Sequence, residues 1–239
     1  MKIFRNKSKR IWLYAAAVMI CLFSLCACRQ GDSGQVPVRI RIEEQTTKDG
    51  TVIQIPEFVT DNEEIRKNLR DLDKETKNLR KIVEKEQKKG THLEMRSYLN
   101  EEKDYPQVTV VWYLSEEDSR LYDLETLGVD EKEGTPITCK EALEKTGMTG
   151  VDLSLRVGKL AQDSGIRGEV ASTEMQGFRI DENGNVAEIY MKLRLRTTSL
   201  TENEDNEVEE TENIEEHFFS YYPGEEKLVR LSEEGFDIP

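Results

Sequence analysis

Histidine is the scarcest chemistry-bearing residue here: His92 and His217 are the only two, and they stand far apart in the chain. No histidine cluster can therefore build a zinc site. Cysteine is nearly as sparse, with four in all and only Cys139 beyond residue 28. The local signatures HExxH, GxSxG, SxxK and a phosphate-cradling glycine loop are all missing, so no short motif announces a catalytic centre. Positive charge is in deficit, with 34 Lys and Arg against 48 Asp and Glu. Basic residues in the body are interleaved with Glu rather than clustered, which excludes nucleic acid as a natural partner, because phosphate binding needs clustered cations to release counterions. Long apolar runs are absent except at one place, the N-terminus.

That N-terminal segment has three parts. Lys2, Arg5, Lys7, Lys9 and Arg10 form a basic leader without an acid, Ile11 to Leu25 form an apolar stretch broken only by Ser24, and Leu25-Cys26-Ala27-Cys28 follows. The order is that of a secretory signal. A retained membrane helix fits less well, since fifteen residues at about 1.5 Å each cover about 22 Å of a roughly 30 Å hydrocarbon core. Leu25, Cys26, Ala27 and Cys28 resemble the lipobox of bacterial lipoproteins. The resemblance implies cleavage before Cys28, a diacylglycerol thioether on its sulfur, and attachment to the outer side of the cell membrane. Cleavage before Cys26 would instead leave bulky Leu25 where a small residue is usual. Two acyl chains, at about 0.8 kcal/mol per buried methylene, hold a protein stably where one is marginal.

The expected mature chain has 212 of the 239 residues and carries 29 basic against 48 acidic side chains, a net charge of −19. Its length suffices for one or two small domains. With Cys28 acylated, Cys139 stands alone and no internal disulfide can form. A negative body is repelled by anionic lipid and attracted by cationic partners.

Residues 28–37 contain Gly31, Ser33, Gly34 and Pro37 without hydrophobic period and read as a tether. Nine extended residues from Arg29 reach about 30 Å, which keeps the body near the bilayer. The body is expected to be α+β, with antiparallel hairpins and a meander packed with one long and two shorter helices. Residues 38–130 form its N-terminal region and 131–239 its C-terminal region. Val38, Ile40 and Ile42 alternate with Arg39, Arg41 and Glu43 as in a half-buried strand, Lys48-Asp49-Gly50 turns, and Val52, Ile53 and Ile55 return until Pro56. Thr60-Asp61-Asn62-Glu63 has capping-box spacing and opens a helix of about 28 residues over 61–89. Its apolar stripe runs Ile65, Leu69, Leu72, Thr76, Leu79, Val83. Thr76 weakens that stripe as a coiled-coil seam and favours packing on the protein's own sheet.

Leu93 to Leu99, Val108 to Leu114 and Leu121 to Leu124 form an antiparallel meander with acidic turns, one of them Ser115 to Asp118. Trp112 is in phase with core valines there, which favours core over a ligand platform. Thr138-Cys139-Lys140-Glu141 is a second capping box, opening a helix that ends near Gly147. Another helix, about Val151 to Gln162, sets Leu153, Val157 and Leu160 on one side. Val170–Ile180 and Val186–Thr197 flank Asp181 to Asn185 as the strongest hairpin signal. The acid-rich residues 199–213 read as a loop, and a last hairpin, Glu216–Tyr222 with Lys227–Leu231, turns at Pro223-Gly224.

Candidate chemistry is thin. Asp181, Asn183 and Asn185 place oxygens at alternate positions as a calcium loop does, but the glycine comes too early and no Glu stands at the twelfth position, so a turn fits better. Glu202, Glu204, Asp205, Glu207, Glu209, Glu210 and Glu212 form a carboxylate run suited to a cation or to plain solvation. His217 reads as a rim or core residue. Cys139, in a helix's first turn, has the dipole that lowers a thiol pKa, yet neither a second cysteine nor a nearby histidine to use it. No catalytic or metal-ligating set is assigned, and no cofactor is expected beyond the lipid on Cys28.

Taken in order, the strand pair ending in Ile55-Pro56, the long helix, Tyr105-Pro106-Gln107, Trp112-Tyr113-Leu114 and Pro136-Ile137-Thr138 resemble, over residues 38–197, the outer region of lysozyme-sensing anti-sigma factors. Those proteins also carry an intracellular sigma-binding domain, whereas ten residues precede the apolar stretch here, so that mechanism is not expected. The resemblance implies an α+β sensor or binding module for a cationic protein or a wall fragment. Two other classes stand beside it: an accessory cell-wall hydrolase or deacetylase, and a structural envelope lipoprotein pairing through the 61–89 helix.

Overall fold

Alternating apolar residues and turn-forming glycines divide the described residues into ten strands and four helices. The structure, a computed structural model, describes residues 38–47, 50–100, 102, 104–114, 120–202 and 208–231. Leu25, Cys26, Ala27, Cys28 and the tether lie outside the described residues, as do Lys48, Asp49, Ser115 to Asp118, and Glu204, Asp205 and Glu207 of the acidic run.

The first sheet takes β1 (Arg39–Thr46), β2 (Val52–Val59), β3 (Leu93–Asn100), β4 (Gln107–Leu114), β5 (Leu121–Val129) and β6 (Pro136–Ile137) in that spatial order. β1 and β2 form the expected hairpin, and Gly50, at φ +88°, occupies the left-handed position its turn needs. Pro56 does not end β2. It pairs with Ile42, and the strand runs on to Val59. The missing N–H is tolerated because β2 meets β3 only at Ile53↔Met95, which leaves its other flank without a ladder at Pro56. That contact is parallel, and parallel neighbours require a crossover. The helical segment between β2 and β3 supplies it.

The long helix is divided. α1 (Glu63–Asn68) and α2 (Arg70–Gln87) meet at Leu69. α1 docks on the loop before β6: the Asn68 side chain donates to the Glu133 carbonyl at 2.8 Å. A Cβ at Gly134 would come within 2.3 Å of Ile65. The N-cap is Asn62, not Thr60; its side chain accepts from the amides of Glu64 and Ile65, while the Thr60 hydroxyl accepts from the Asn62 amide. The stripe Ile65, Leu69, Leu72, Thr76, Leu79, Val83 is buried throughout against Ile53, Phe58, Leu93, Met95, Val108, Val110 and Trp112. The stripe is filled by the chain's own sheet, as its Thr76 favoured, and so is not free for the alternative of helix pairing through it. Trp112, 1 % exposed, is core.

The second sheet has the order β10 (Lys227–Arg230), β9 (Val208–Tyr222), β8 (Val186–Glu202), β7 (Glu169–Ile180), all antiparallel. α3 (Cys139–Lys145), with the capping box Thr138–Glu141 in place, and α4 (Gly150–Asp163) pack on one of its faces. Ala142, Leu153, Val157 and Ala161 meet Ile189, Met191, Leu193 and Leu195 there. Residues 199–213 were expected to form a loop. They are instead strand on either side of 203–207, paired from Thr197↔Asn213 to Glu202↔Val208. Val186 to Leu195 holds β8 in the sheet, and pairing with β9 continues past the last β7 partner, Glu169↔Arg196, as a two-stranded ribbon.

Where the sheets meet, Val111, Tyr113, Leu121 and Leu124 pack with Tyr190 and Phe218. Side chains complete the junction. The Ile180 amide donates to Gln107 Oε1 at 2.8 Å, and Gln107 Nε2 donates to the Ile180 carbonyl at 2.9 Å. The Phe178 amide donates to Thr126 Oγ1 at 3.3 Å. Gly177 permits the approach, since a Cβ there would stand 2.3 Å from Thr126 Oγ1. The regions 38–130 and 131–239 thus do not fall apart: β6 belongs to the first sheet, and the body after the N-terminal segment forms one compact unit.

Candidate functional site

Four strands in one sheet leave two outer flanks, and β7 forms one of them. Its C-terminal half is covered, because Thr126 and Gln107 take the backbone of Phe178 and Ile180. Its N-terminal half is bordered by α4. Thr149 starts that helix with a capping box the sequence reading missed: the Asp152 amide donates to Thr149 Oγ1 at 3.1 Å, and the Thr149 hydroxyl and amide donate to the Asp152 carboxylate at 2.6 and 3.0 Å. Those bonds to Thr149 hold the Asp152 carboxyl below its ordinary pKa.

α4 buries Leu153, Val157 and Ala161 and is pinned beside β7 by a 2.7 Å bond from the Thr173 hydroxyl to the Ser154 hydroxyl. Arg156 ties its outer side to Glu226 at 2.8 Å. Between helix and strand runs an open groove of about 820 Å³, floored by Ser154, Gly158, Val170 and Thr173 and overlooked by Val151, Leu155 and Lys159. Val151 and Leu155 are each 69 % exposed, the most exposed of the large apolar side chains among the described residues. Their one-turn spacing, off the stripe that packs the helix, was the available sequence signal for this groove.

A second polar region borders the junction of the sheets. Lys192 Nζ lies 3.0 Å from Glu216, 3.8 Å from Asp123 and 5.4 Å from the Phe218 ring centre. Burial raises the Asp123 pKa against the pull of Lys192. Glu125, two residues on, is raised by burial first and then by Glu75 and Asp123. Glu216 goes the other way: burial opposes its charge, but Lys192 and Arg194 prevail and lower its pKa.

The sequence candidates disperse. Asp181 closes its hairpin turn, its carboxylate accepting from the Asn183 and Asn185 amides, both at 2.9 Å. His217 sits at a rim between Glu215, 3.1 Å away, and Arg230, 2.7 Å away. Cys139 packs among apolar neighbours. Its thiol is pushed up to about 11 by burial, with Glu125 adding, so the helix dipole does not make it a thiolate. Glu212 lies 4.0 Å from Arg196 at the base of the ribbon. Among the described residues no group of three or more His, Cys, Asp or Glu is placed to hold a metal ion, and no helix is long and apolar enough to cross a membrane. No known family and no characterised protein matches this chain in sequence.

Proposed function

We propose that this chain is a bacterial lipoprotein, anchored by a diacylglycerol on Cys28 to the outer side of the cell membrane. There it acts as a binding or sensor module that recognises a cationic protein or a wall-derived ligand without turnover. One observation carries the binding part. β8 and β9 pair alone from Thr197↔Asn213 to Glu202↔Val208, and this two-stranded stretch of backbone carries Glu202, Glu209, Glu210 and Glu212 of the acidic run. A sequence-level concentration of carboxylates, on an expected mature chain of net charge −19, favours encounter with positive surfaces. The anchor rests on Leu25-Cys26-Ala27-Cys28 after a basic and apolar leader.

Mass spectrometry of the protein from its native envelope tests the anchor: a diacylated N-terminal Cys28 is expected, and an intact leader with unmodified Cys28 would refute it. For the ligand class, the full chain is titrated with a basic protein such as cytochrome c in low and high salt. Binding that weakens at least tenfold between about 20 and about 500 mM salt is expected, since screening shortens the reach of exposed charges. Equal affinity at both removes the electrostatic case. Asp123 and Glu125, partly buried with raised pKa values, favour a second reading as an accessory wall hydrolase. Release of soluble sugar from peptidoglycan, lost in Glu125→Gln, would establish that reading instead.

A further inference from the structure

We propose that the N-terminal half of β7 receives an extended segment of the cationic partner as a fifth strand of its sheet, with apolar side chains of that segment seated against Val151 and Leu155. The inference rests on the binding reading above and adds the place and the conformation of the ligand.

Three observations converge on this flank. Among the described residues β7 has a strand neighbour on one side only, and the half of its outer flank at Phe178 and Ile180 is already satisfied by Thr126 and Gln107. The half that is left, Val170 to Thr173, is the half that lines the groove. Unpaired strand backbone beside a groove is the arrangement by which a peptide adds to a sheet: main-chain bonds give affinity and alternate side chains give selectivity.

Val151 and Leu155, at 69 % exposure, offer the apolar wall for those side chains. The register shift at Ala171, where Val170 pairs with Leu195 and Ser172 with Arg194, blunts the strand against indiscriminate pairing. A segment without apolar side chains to place on α4 therefore gains little here.

Charge selects the occupant. The uncharged run Val170 to Thr173 is bracketed by the exposed carboxylates Glu169, which lies 3.9 Å from Arg196, and Glu174, and at the Glu169 end β8 continues beside β9 through a stretch whose sequence holds Glu202, Glu209, Glu210 and Glu212. Among the described residues Lys159 is the one charged side chain that lines the groove. The matching segment has a short uncharged core with alternate apolar residues, flanked on both sides by Lys or Arg.

The probe is a fluorescent synthetic peptide, Lys-Lys-Val-Thr-Val-Thr-Val-Lys-Lys, titrated onto the full chain by anisotropy and compared with its Glu-flanked and core-scrambled versions. Binding with at least tenfold preference for the Lys-flanked peptide is expected, together with slowed amide exchange confined to residues 170–173. Val151→Asp with Leu155→Asp, on an exposed helix face and checked for an unchanged Tm, should weaken it at least tenfold. If the Lys-flanked peptide binds but neither the double variant nor the exchange of 170–173 responds, the groove assignment is overturned while the cationic reading stands. If all three peptides bind equally at the groove, the charge argument and the cationic reading fall and strand addition alone survives. A sedimentation shift to dimer, lost in the double variant without peptide, would give the flank to a second copy and overturn the proposal.

Discussion

Gln107 replaces a stretch of β-ladder with one side chain. Its amide oxygen and nitrogen take the Ile180 amide and carbonyl at 2.8 and 2.9 Å, and its own exposure is 1 %. Leucine has similar bulk but neither group, so Gln107→Leu takes a partner from three backbone groups, the Ile180 amide and the Ile180 and Tyr105 carbonyls, of which the Ile180 carbonyl keeps the Asn100 side chain at 3.4 Å. A buried orphan costs about 1–3 kcal/mol, and urea unfolding of the variant should show a loss of about 2–5 kcal/mol. Gly177 makes a parallel case by shape. Gly177→Ala drives a methyl to 2.3 Å from Thr126 Oγ1 and 3.1 Å from the Tyr190 ring, and the overpacking predicts about 1–3 kcal/mol of destabilisation. Cys139 gives a chemical prediction. With its thiol held up to about 11 by burial, it stays protonated at neutral pH. Peptide-resolved alkylation of the folded protein should therefore leave Cys139 slow at pH 7 and accelerate only as pH climbs towards 11. Fast labelling at pH 7 would contradict the packed environment described here.

Helix starts show how local signals and tertiary demands divide the control of an element. Thr138 and Thr149 each close a complete capping box, whereas Asn62 caps α1 alone, through 2.9 and 3.4 Å bonds from Glu64 and Ile65. Asn62→Ala should lower stability by about 1 kcal/mol, measurable as a shift in the urea midpoint at constant slope. Elements with strong period or turn chemistry were legible in the sequence: the β1–β2 and β7–β8 hairpins, the meander, and the α1–α2 stripe. What escaped depended on neighbours distant in the chain. Pro56 is strand because β2 lacks a second partner there, and the break at Leu69 follows from α1 docking at Glu133 and Gly134. The acid-rich arms of the ribbon are strand because β8 and β9 are already in register below them. The groove was hidden for the same reason. Val151 and Leu155 are visible as apolar residues, but the open half of β7 is defined by Gln107 and Thr126, some 50 to 70 positions away.

At the level of the whole molecule, charge and packing meet at the junction of the sheets. Glu125 is raised above the ordinary glutamate value of 4.5, chiefly by burial and then by Glu75 and Asp123, and Asp123 is raised by burial as well. A carboxyl raised in the folded state favours folding while protonated. Its favourable contribution is complete below the unfolded value and is lost as pH rises through the window up to the folded value. Both groups therefore oppose folding at neutral pH, in contrast to Asp152, whose lowered carboxyl supports folding above its unfolded value and loses that support as pH falls. Glu125→Gln removes the ionisation while keeping the shape. Its Tm should exceed that of the parent at pH 7 and converge with it towards pH 4, and a variant equally destabilised at both values would show that the carboxylate is satisfied. Because Gln107, Thr126 and Gly177 bind the two sheets through backbone contacts rather than apolar surface alone, loss of one sheet strips partners from the other. Trp112 fluorescence, reporting the first sheet, and amide exchange in β8, reporting the second, should give the same unfolding midpoint in the parent. In Gln107→Leu both midpoints should fall together; separation of the two, with β8 opening first, would mean that the junction is held by Val111, Tyr113, Tyr190 and Phe218 and that the side-chain ladder only follows.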